Sequence, residues 1–348
     1  MSVVEYLRAA PKAHLHVHLE GSILPETLLT LARRNGVALP AETVEGLRAW
    51  FTFRDFDHFI EIYLTITRCL RTVEDYELIA YEFGAEMARQ HIRYAEVTFS
   101  PSTHEALGVP FDTQFAGLTH GRERARDEFG VEMAWIFDIV RNIRPEERRD
   151  QWAEYTLARA VEGMRDGVVA LGLGGAEVGY PPEVFAPWFA RARGAGLHCI
   201  PHAGETAGPE SVWGAIRALG AERIGHGVRS IEDPALVDYL RDQQIALEVC
   251  PTSNLRLKVY PDYAAHPLRR LYEAGVPITI NADDPPLFNT TLNDEVELLA
   301  TAFDLGLDEI DTILLNGVRY SFLPAERKRA LEAEFVAELA RLRAELTP

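Results

Sequence analysis

Short apolar segments alternate along the chain with longer segments of helical periodicity. The short segments are rich in aliphatic and β-branched residues and lie at 13–18, 92–98, 131–138, 168–173, 197–202, 223–226, 245–249 and 277–281. The longer segments repeat apolar residues every three or four positions, and examples are 74–89, 111–129, 151–165, 182–194 and 234–243. Eight such alternations predict an α/β fold, a parallel (β/α)8 barrel ringed by helices, and favour it over an open doubly wound sheet.

One interval between predicted strands is much longer than a single crossover helix requires. It covers 22–90 and predicts a distorted barrel with a helical insertion after strand 1. Aromatic residues crowd its middle at Phe51, Phe53, Phe56 and Phe59. Two interpretations fit them: a lid in which Phe56 and Phe59 contact the substrate, or ordinary packing under a long loop.

The C-terminal segment predicts one more helix, packed on the outside of the barrel. Its apolar residues Leu331, Phe335, Leu339 and Leu342 follow helical spacing. Barrels of this type commonly occupy a chain of this length as one unit. We therefore interpret residues 1–348 as a single (β/α)8 domain that contains the 22–90 lid insertion.

Charge and composition narrow the kind of partner. The chain has 53 acidic and 35 basic residues, a formal net charge of -18, which opposes binding to nucleic acid phosphates. No apolar run reaches the length of a membrane span, and the first residues lack a signal-peptide pattern. The three cysteines show no paired spacing. We expect a cytoplasmic protein with a small-molecule substrate, and neither nucleic acid nor membrane as partner; the oligomeric state stays open.

Histidines occupy alternate positions of the first predicted strand, at His14, His16 and His18. Because successive side chains of a strand point to opposite faces, the three imidazoles share one side. Two neighbouring imidazoles can then converge on one cation. Alternating histidines also occur as hydrogen-bonded residues inside barrels, so this segment alone leaves both interpretations open.

Polar residues also follow the later predicted strands, at His202, Glu205, His226, Asp283 and Asp284. The carboxyl ends of barrel strands meet at one rim, and barrel enzymes place their chemistry there. One set of nitrogen and carboxylate donors at this rim suits a single zinc ion with a coordination position left for water. Its members are His16, His18, His202 and Asp283.

Three other rim residues suit catalytic or binding roles. Glu205 is placed to donate a proton to a substrate, although an acid ahead of Pro209 would also be an ordinary helix cap. His226 lies between two glycines and could approach water as a base or as an orienting group. Asp284 could hydrogen-bond to a substrate while Asp283 binds the metal.

The ordered motifs of the chain resemble those of the adenosine deaminase family of the amidohydrolase superfamily. They are Pro11-Lys12, His16-Val17-His18-Leu19-Glu20-Gly21, Gly172-Leu173-Gly174-Gly175-Ala176-Glu177, His202-Ala203-Gly204-Glu205, Gly225-His226-Gly227, Cys250-Pro251-Thr252-Ser253-Asn254 and Asn281-Ala282-Asp283-Asp284-Pro285. The resemblance implies a distorted (β/α)8 barrel with one zinc per chain, held by the four residues above. The segment 168–177 has no lysine, which weakens a resemblance to binuclear hydrolases.

The resemblance also implies roles for single residues. Glu205 would protonate ring nitrogen 1 of a purine while hydroxide attacks carbon 6. His226 would orient and deprotonate the attacking water. The Gly175 backbone amide and Asp284 would hold the purine at nitrogens 3 and 7.

The group at the 5′ end of the substrate is left open by the sequence. Glu20 stands where adenosine deaminases of the animal type have an aspartate that binds the ribose 5′-hydroxyl. The segments 53–60, 92–98 and 205–209 look like bacterial members, including aminodeoxyfutalosine deaminases of menaquinone biosynthesis, which act on an adenosine with an aromatic carboxylate at the 5′ carbon. An aromatic lid near Arg54 would suit that group.

These expectations combine into one function with two alternatives. We expect a zinc-dependent hydrolytic deaminase that converts the 6-amino group of adenosine or 6-aminodeoxyfutalosine to the 6-oxo product and ammonia. A deaminase of free adenine would need a closed pocket in place of the ribose site. A non-catalytic ligand-binding barrel would have been favoured by loss of a ligand or of Glu205, and the whole set is present.

Overall fold

Eight parallel strands form a barrel in the computed structural model, which describes residues 1–54 and 56–346, without the side chains of Phe56 and Asp57. The strands are β1 (Lys12–His18), β2 (Ile92–Phe99), β3 (Glu132–Val140), β4 (Val168–Gly174), β5 (His198–Ala203), β6 (Arg223–His226), β7 (Ala246–Val249) and β8 (Ile278–Ile280). Each pairs with the next in chain order. A parallel bridge between Val17 and Asp283 joins the end of β8 to β1. The predicted (β/α)8 barrel is confirmed.

Helices connect the strands and surround them. They are α1 (Val3–Ala9), α2 (Pro25–Asn35), α3 (Val44–Trp50), α4 (Phe56–Thr67), α5 (Val73–Arg89), α6 (Pro101–Ala106), α7 (Phe111–Phe129), α8 (Glu146–Gly163), α9 (Ala186–Ala195), α10 (Pro209–Gly214), α11 (Pro234–Gln243), α12 (Pro251–Arg256), α13 (Leu268–Glu273), α14 (Pro285–Phe288), α15 (Leu292–Thr301), α16 (Leu307–Arg319) and α17 (Ala325–Ala344). Short 3₁₀ turns cover Glu20–Ser22, Met164–Asp166, Pro182–Phe185 and Val228–Glu232, and Ala215–Leu219 is a π-helix.

The insertion after strand 1 is helical, as predicted, and consists of the Glu20–Ser22 turn followed by α2 to α5. The C-terminal helix also follows the prediction: α17 buries Leu331, Phe335, Leu339 and Leu342. The main differences are small shifts of element ends. The helix predicted at 151–165 begins earlier, at Glu146, and the one predicted at 182–194 starts as a separate 3₁₀ turn.

The second half of the barrel has the shortest strands. β5 and β6 pair at His202 with Gly225 and at Ala203 with His226. This register places His202 and His226 side by side at the carboxyl rim, the end of the strands that barrel enzymes use. Across residues 1–54 and 56–346, no helix is both long and apolar enough to cross a membrane.

Candidate active site

Ligand-type side chains from four strands converge at the carboxyl rim of the barrel. One group has its potential ligand atoms within 4.8 Å of one another, and its members are His16, His202, His226 and Asp283. His18 lies beside this group, with its Nε2 3.3 Å from Asp283 Oδ1 and 3.3 Å from His202 Nε2. The four residues predicted as zinc ligands therefore lie together. The structure also brings His226 and Asp284 next to them.

The hydrogen bonds of His16 and His202 leave one ring nitrogen of each ready for a cation. His16 Nδ1 lies 3.0 Å from Glu248 Oε2, and His202 Nδ1 lies 3.0 Å from the Leu173 carbonyl oxygen. These oxygens accept, so each Nδ1 donates and each neutral ring keeps a lone pair on Nε2. His16 Nε2 is buried without a hydrogen-bond partner. This donor set fits a divalent metal ion.

A buried ion-pair network of Glu248, Arg223 and Glu96 contacts His16 through Glu248. Arg223 Nε donates to Glu248 Oε1 at 2.7 Å, and the same guanidinium pairs with Glu96. All three charged side chains are almost completely buried. Sequence reasoning missed Glu248, although a glutamate inside the apolar segment 245–249 was a signal. Its carboxylate fixes the orientation of the His16 ring.

Two residues of the group have a strained backbone. Asp283 has φ 63° and His226 has φ 59°, in the left-handed region that side chains other than glycine rarely adopt. Such conformations persist where the surrounding structure holds them, typically at functional sites. Here the Ser253 hydroxyl donates to Asp283 Oδ2 at 2.7 Å, and the Asp283 carbonyl accepts from the His18 amide at 2.9 Å.

Asp284 lies against a glycine that no other residue could replace without a shift. A Cβ on Gly21 would lie 1.6 Å from Asp284 Oδ1. That oxygen is buried without a hydrogen-bond partner. Burial and the neighbouring Asp283 carboxylate raise the pKa of Asp284 well above its usual range. These surroundings favour the protonated form of Asp284, which can donate to an acceptor in the site.

Glu205 faces the same group as a protonated carboxyl. Burial, followed by the charges of Asp283 and Glu177, raises the pKa of Glu205 to about 8. Its Oε1 is buried without a hydrogen-bond partner and lies 3.6 Å from His226 Nε2. A carboxyl group with such a pKa holds its proton at neutral pH and is suited to general acid catalysis.

A second glutamate, Glu177, holds the loop that carries Glu205. Its Oε1 accepts from the Gly204 amide at 2.6 Å, and its Oε2 accepts from the amides of Glu205, Thr206 and Ala207 at 3.1, 2.8 and 2.8 Å. Sequence reasoning assigned no role to Glu177, because the two segments are far apart along the chain. The buried carboxylate fixes the backbone from which the Glu205 side chain projects.

Replacing Glu177 with alanine removes the acceptor for four backbone amides, so we expect kcat to fall about 10- to 100-fold while the metal content is unchanged. Steady-state kinetics and metal analysis of the purified variant measure both. The control is Glu183→Gln, an exposed glutamate nearby on the Pro182–Phe185 turn, which should behave like the parent protein. Equal kcat for Glu177→Ala and Glu183→Gln would contradict this role.

A cavity of about 430 Å³ opens outward from the group. Its inner end is lined by the rim residues, including His18, Glu205 and Asp284. Gly175 also lines the cavity, at φ 85° after the end of β4. The outer part is mostly apolar, and its lining includes Ile60, Leu64, Leu107, Ile143 and Trp152. The cavity therefore continues well beyond the group of potential metal ligands, His16, His202, His226 and Asp283.

Glu20 lies behind the cavity wall. It is fully buried, and its Oε1 accepts from the Ser100 amide at 3.2 Å and lies 3.0 Å from His104 Nε2. The wall itself contains Ser100 and Asp138, which are joined by a hydrogen bond of 2.5 Å from the Ser100 hydroxyl. Burial raises the pKa of Asp138 to about 6. Sequence reasoning assigned no role to this pair.

The aromatic residues of the insertion divide between packing and the cavity. Phe51 is buried in the core, and Phe53 packs edge-on against Phe59 with ring centroids 5.4 Å apart. Phe59 stacks on Phe288 at 5.6 Å and also lines the cavity. The side chain of Phe56 lies outside the described residues. The packing interpretation therefore holds for Phe51 and Phe53, and the lid interpretation stays a prediction for Phe59, which lines the cavity.

Two residues at the outer end of the cavity were not identified from the sequence. Arg148 and Trp152 lie one turn apart on α8 and both line the cavity. Among the described residues, the Arg148 guanidinium has no ion-pair partner, whereas its neighbour Arg149 pairs with Asp150. Arg54, the cation suggested by the sequence, is not among the described residues that line this cavity.

Comparison with known proteins gives consistent relatives over nearly the whole chain. The family model described as Adenosine deaminase matches residues 11–338. Aminodeoxyfutalosine deaminase of Streptomyces coelicolor is 42% identical over 333 residues, 94% of this chain and 84% of the relative. Adenine deaminase of Cupriavidus necator is 42% identical over 338 residues, 97% of this chain and 93% of the relative.

A solved structure with bound zinc matches the fold of this chain. It is an amidohydrolase from Burkholderia ambifaria with bound zinc, which has 25% sequence identity and a TM-score of 0.89, over 99% of this chain and 95% of that one. The family match covers every rim residue described above. With a protonated carboxyl beside a metal-type group at the rim of the barrel, this chain belongs to the adenosine deaminase family of the amidohydrolase superfamily and is a hydrolytic deaminase.

Proposed function

We propose that this protein is a zinc-dependent deaminase of adenosine-type nucleosides, which converts the 6-amino group to a 6-oxo group and releases ammonia. The observation that carries the proposal is the protonated Glu205 carboxyl facing a group of histidine and aspartate ligands. One zinc ion per chain is held by His16, His18, His202 and Asp283. Zinc in such a site lowers the pKa of water from about 15.7 to about 7 and so supplies a hydroxide nucleophile at neutral pH.

Glu205 moves the protons of the reaction. It gives its proton to ring nitrogen 1 as the attacking oxygen bonds to carbon 6, which makes that carbon tetrahedral. The carboxylate left on Glu205 then takes the proton of the new hydroxyl group and passes it to the amino nitrogen. The carbon–nitrogen bond breaks, ammonia leaves and the 6-oxo group forms, while ring nitrogen 1 keeps its proton. The proton released when water became hydroxide returns through solvent to the Glu205 carboxylate, which is then protonated for the next turnover.

Five other residues position the reactants. The Gly175 amide donates to ring nitrogen 3, and protonated Asp284 donates to ring nitrogen 7, which has only a lone pair to offer. His226 orients the attacking water. Ser100 and Asp138, on the cavity wall, are placed for the hydroxyl groups of the sugar.

The substrate that suits the outer cavity is a nucleoside extended at its 5′ end, such as 6-aminodeoxyfutalosine. Free adenine would fill only the inner end of a cavity of about 430 Å³. The apolar outer lining suits an aromatic group, and Trp152 beside the unpaired Arg148 suits a carboxylate on that group. A relative at 42% identity is named for this activity. The 22–90 insertion supplies the lid, with Phe59 as part of the cavity wall. Phe56 remains a predicted contact, whereas Glu20 lies behind the wall and is not among the residues that line the cavity.

We expect kcat/KM for 6-aminodeoxyfutalosine to exceed that for adenosine by about 30- to 150-fold, since burying a phenyl-sized group contributes roughly 2–3 kcal/mol. Steady-state measurements of ammonia release from 6-aminodeoxyfutalosine, adenosine and adenine decide the matter. A higher value for adenosine would make this a plain adenosine deaminase. A higher value for adenine would favour the free-base activity named for the Cupriavidus relative.

A variant of Arg148 tests the carboxylate end of the substrate. Arg148→Gln should lower kcat/KM for 6-aminodeoxyfutalosine about 10-fold and leave adenosine unchanged, because only the former carries the anion. The control is Arg144→Gln, an exposed arginine that pairs with Glu146 and does not line the cavity. A similar loss for both substrates would contradict a contact with the carboxylate.

A further inference from the structure

A chain of three buried hydrogen bonds runs from a backbone amide to His226. The Leu268 amide donates to His266 Nδ1 at 3.2 Å. His266 Nε2 lies 3.0 Å from Asn254 Oδ1, and Asn254 Nδ2 lies 3.4 Å from His226 Nδ1. The three side chains are at most 4% exposed. Because the three side chains are buried and hydrogen-bond in series, the first donor sets the direction of the bonds.

That first donor fixes the direction of every bond that follows. A backbone N–H can only donate, so His266 Nδ1 accepts and carries no proton. Burial lowers the pKa of His266 to about 3, so its neutral ring carries the proton on Nε2 and donates it to Asn254 Oδ1. The amide orientation of Asn254 follows, with its nitrogen toward His226. His226 Nδ1 must then accept as well.

We propose that Asn254 and His266 are positioning residues that hold His226 in the tautomer with the proton on Nε2. In this tautomer, the nitrogen that faces the active site is a hydrogen-bond donor. It lies 3.6 Å from Glu205 Oε1 and 3.8 Å from Asp283 Oδ2, so it faces two carboxyl oxygens. His226 thus differs from His16 and His202, whose hydrogen bonds leave the lone pair on Nε2.

Two consequences follow for the site. His226 lies within the group of potential metal ligands but has no lone pair to offer there, so it is not a ligand. It also cannot take a proton at Nε2, so it orients the attacking oxygen by donating to a lone pair and leaves proton transfer to Glu205. This replaces the deprotonating role that the family resemblance implied. The effect on turnover rests on the proposed deamination, whereas the tautomer itself does not.

The tautomer can be measured directly in the zinc-loaded protein labelled with nitrogen-15 histidine. Long-range proton–nitrogen correlation spectra distinguish a protonated ring nitrogen from an unprotonated one, and His226→Gln identifies the His226 signals. We expect an unprotonated Nδ1 and a protonated Nε2. A protonated Nδ1 in the parent protein overturns the proposal, and this measurement requires no variant of the hydrogen-bond chain to fold.

Asn254→Asp gives a second, isosteric test. A carboxylate accepts from both neighbours, so it should draw the His226 proton to Nδ1 and reverse the two nitrogen signals. We expect kcat to fall about 100-fold with KM within about threefold of the parent and with zinc content unchanged. His266→Gln keeps a donor toward Asn254 and should retain the original tautomer. An unchanged tautomer in Asn254→Asp overturns the proposal.

The outcomes also separate this inference from the proposed function. If the parent protein shows the Nε2–H tautomer but releases no ammonia from any of the three purines, the tautomer assignment stands and the proposed function fails. If ammonia is released but His226 carries its proton on Nδ1, the proposed function stands and the role of Asn254 and His266 is wrong.

Discussion

Glu205→Gln is expected to lower kcat roughly a thousandfold while the protein keeps its fold and its metal, since positioned general acids contribute about 10²- to 10⁴-fold. The amide preserves the shape of the side chain but cannot give a proton to ring nitrogen 1. The substrate can still bind, so KM should change little, and the loss should fall on kcat. Steady-state kinetics with the best substrate, together with metal analysis, measure the three quantities.

The control for this variant lies in the same loop. Glu210 is exposed, and its Oε1 accepts from the Gly208 amide at 3.1 Å, so it is an ordinary cap at the start of α10. Glu210→Gln should retain near-parent turnover. If Glu205→Gln behaves in the same way, Glu205 is a structural cap too, and another group must supply the proton.

Much of this fold and of its rim could be predicted because the relevant signals are local. A parallel strand buried on both faces reads as a short apolar run, and the eight runs give the barrel. Once the barrel is known, the ends of the strands must meet, so His16, His202 and Asp283 could be placed together from the sequence. Gly21 marks the close approach of Asp284, for which only a glycine has room.

The residues that sequence reasoning missed act through distant contacts. Glu177 holds the amides of a loop that begins at Gly204, and Glu248 holds His16 across the barrel. The residues next to Glu177 or Glu248 in the sequence do not predict its hydrogen-bond partner. Side-chain packing decides which buried donors meet which acceptors. Asn254 lies in a recognised motif, yet its role depends on His266, a residue outside that motif.

The substrate end is the part of the site with the weakest sequence signal. The aromatic run from Phe51 to Phe59 suggested a lid, but Phe51 packs in the core. Phe59 stacks on Phe288 and also lines the cavity. Arg148, on a helix of the barrel ring, lines the cavity and has no ion-pair partner among the described residues. An exposed arginine is unremarkable in a sequence, and only its position beside the cavity gives it meaning.

His16→Ala is expected to abolish zinc binding and activity together, whereas we expect the parent protein to bind one zinc per chain. The His16 ring supplies a ligand nitrogen, and Glu248 fixes the orientation of that ring. Removing the ring removes a metal ligand and leaves Glu248 without its histidine partner. Zinc affinity should fall by more than the roughly 10- to 100-fold that loss of an outer partner causes. Metal analysis and kcat of the same preparations measure the effect.

Two further variants complete this experiment, one with an intermediate expected effect and one as a control. Glu248→Gln removes only the partner of His16, so its zinc affinity should lie between those of the parent protein and of His16→Ala, about 10- to 100-fold below the parent. His120→Ala changes an exposed histidine on α7, outside the rim, and should leave zinc and kcat unchanged. Full zinc content in His16→Ala, or two zinc ions per chain in the fully active parent, would contradict a single site built on His16. A graded loss across the three variants would instead tie the metal to the ring and to the buried carboxylate that orients it.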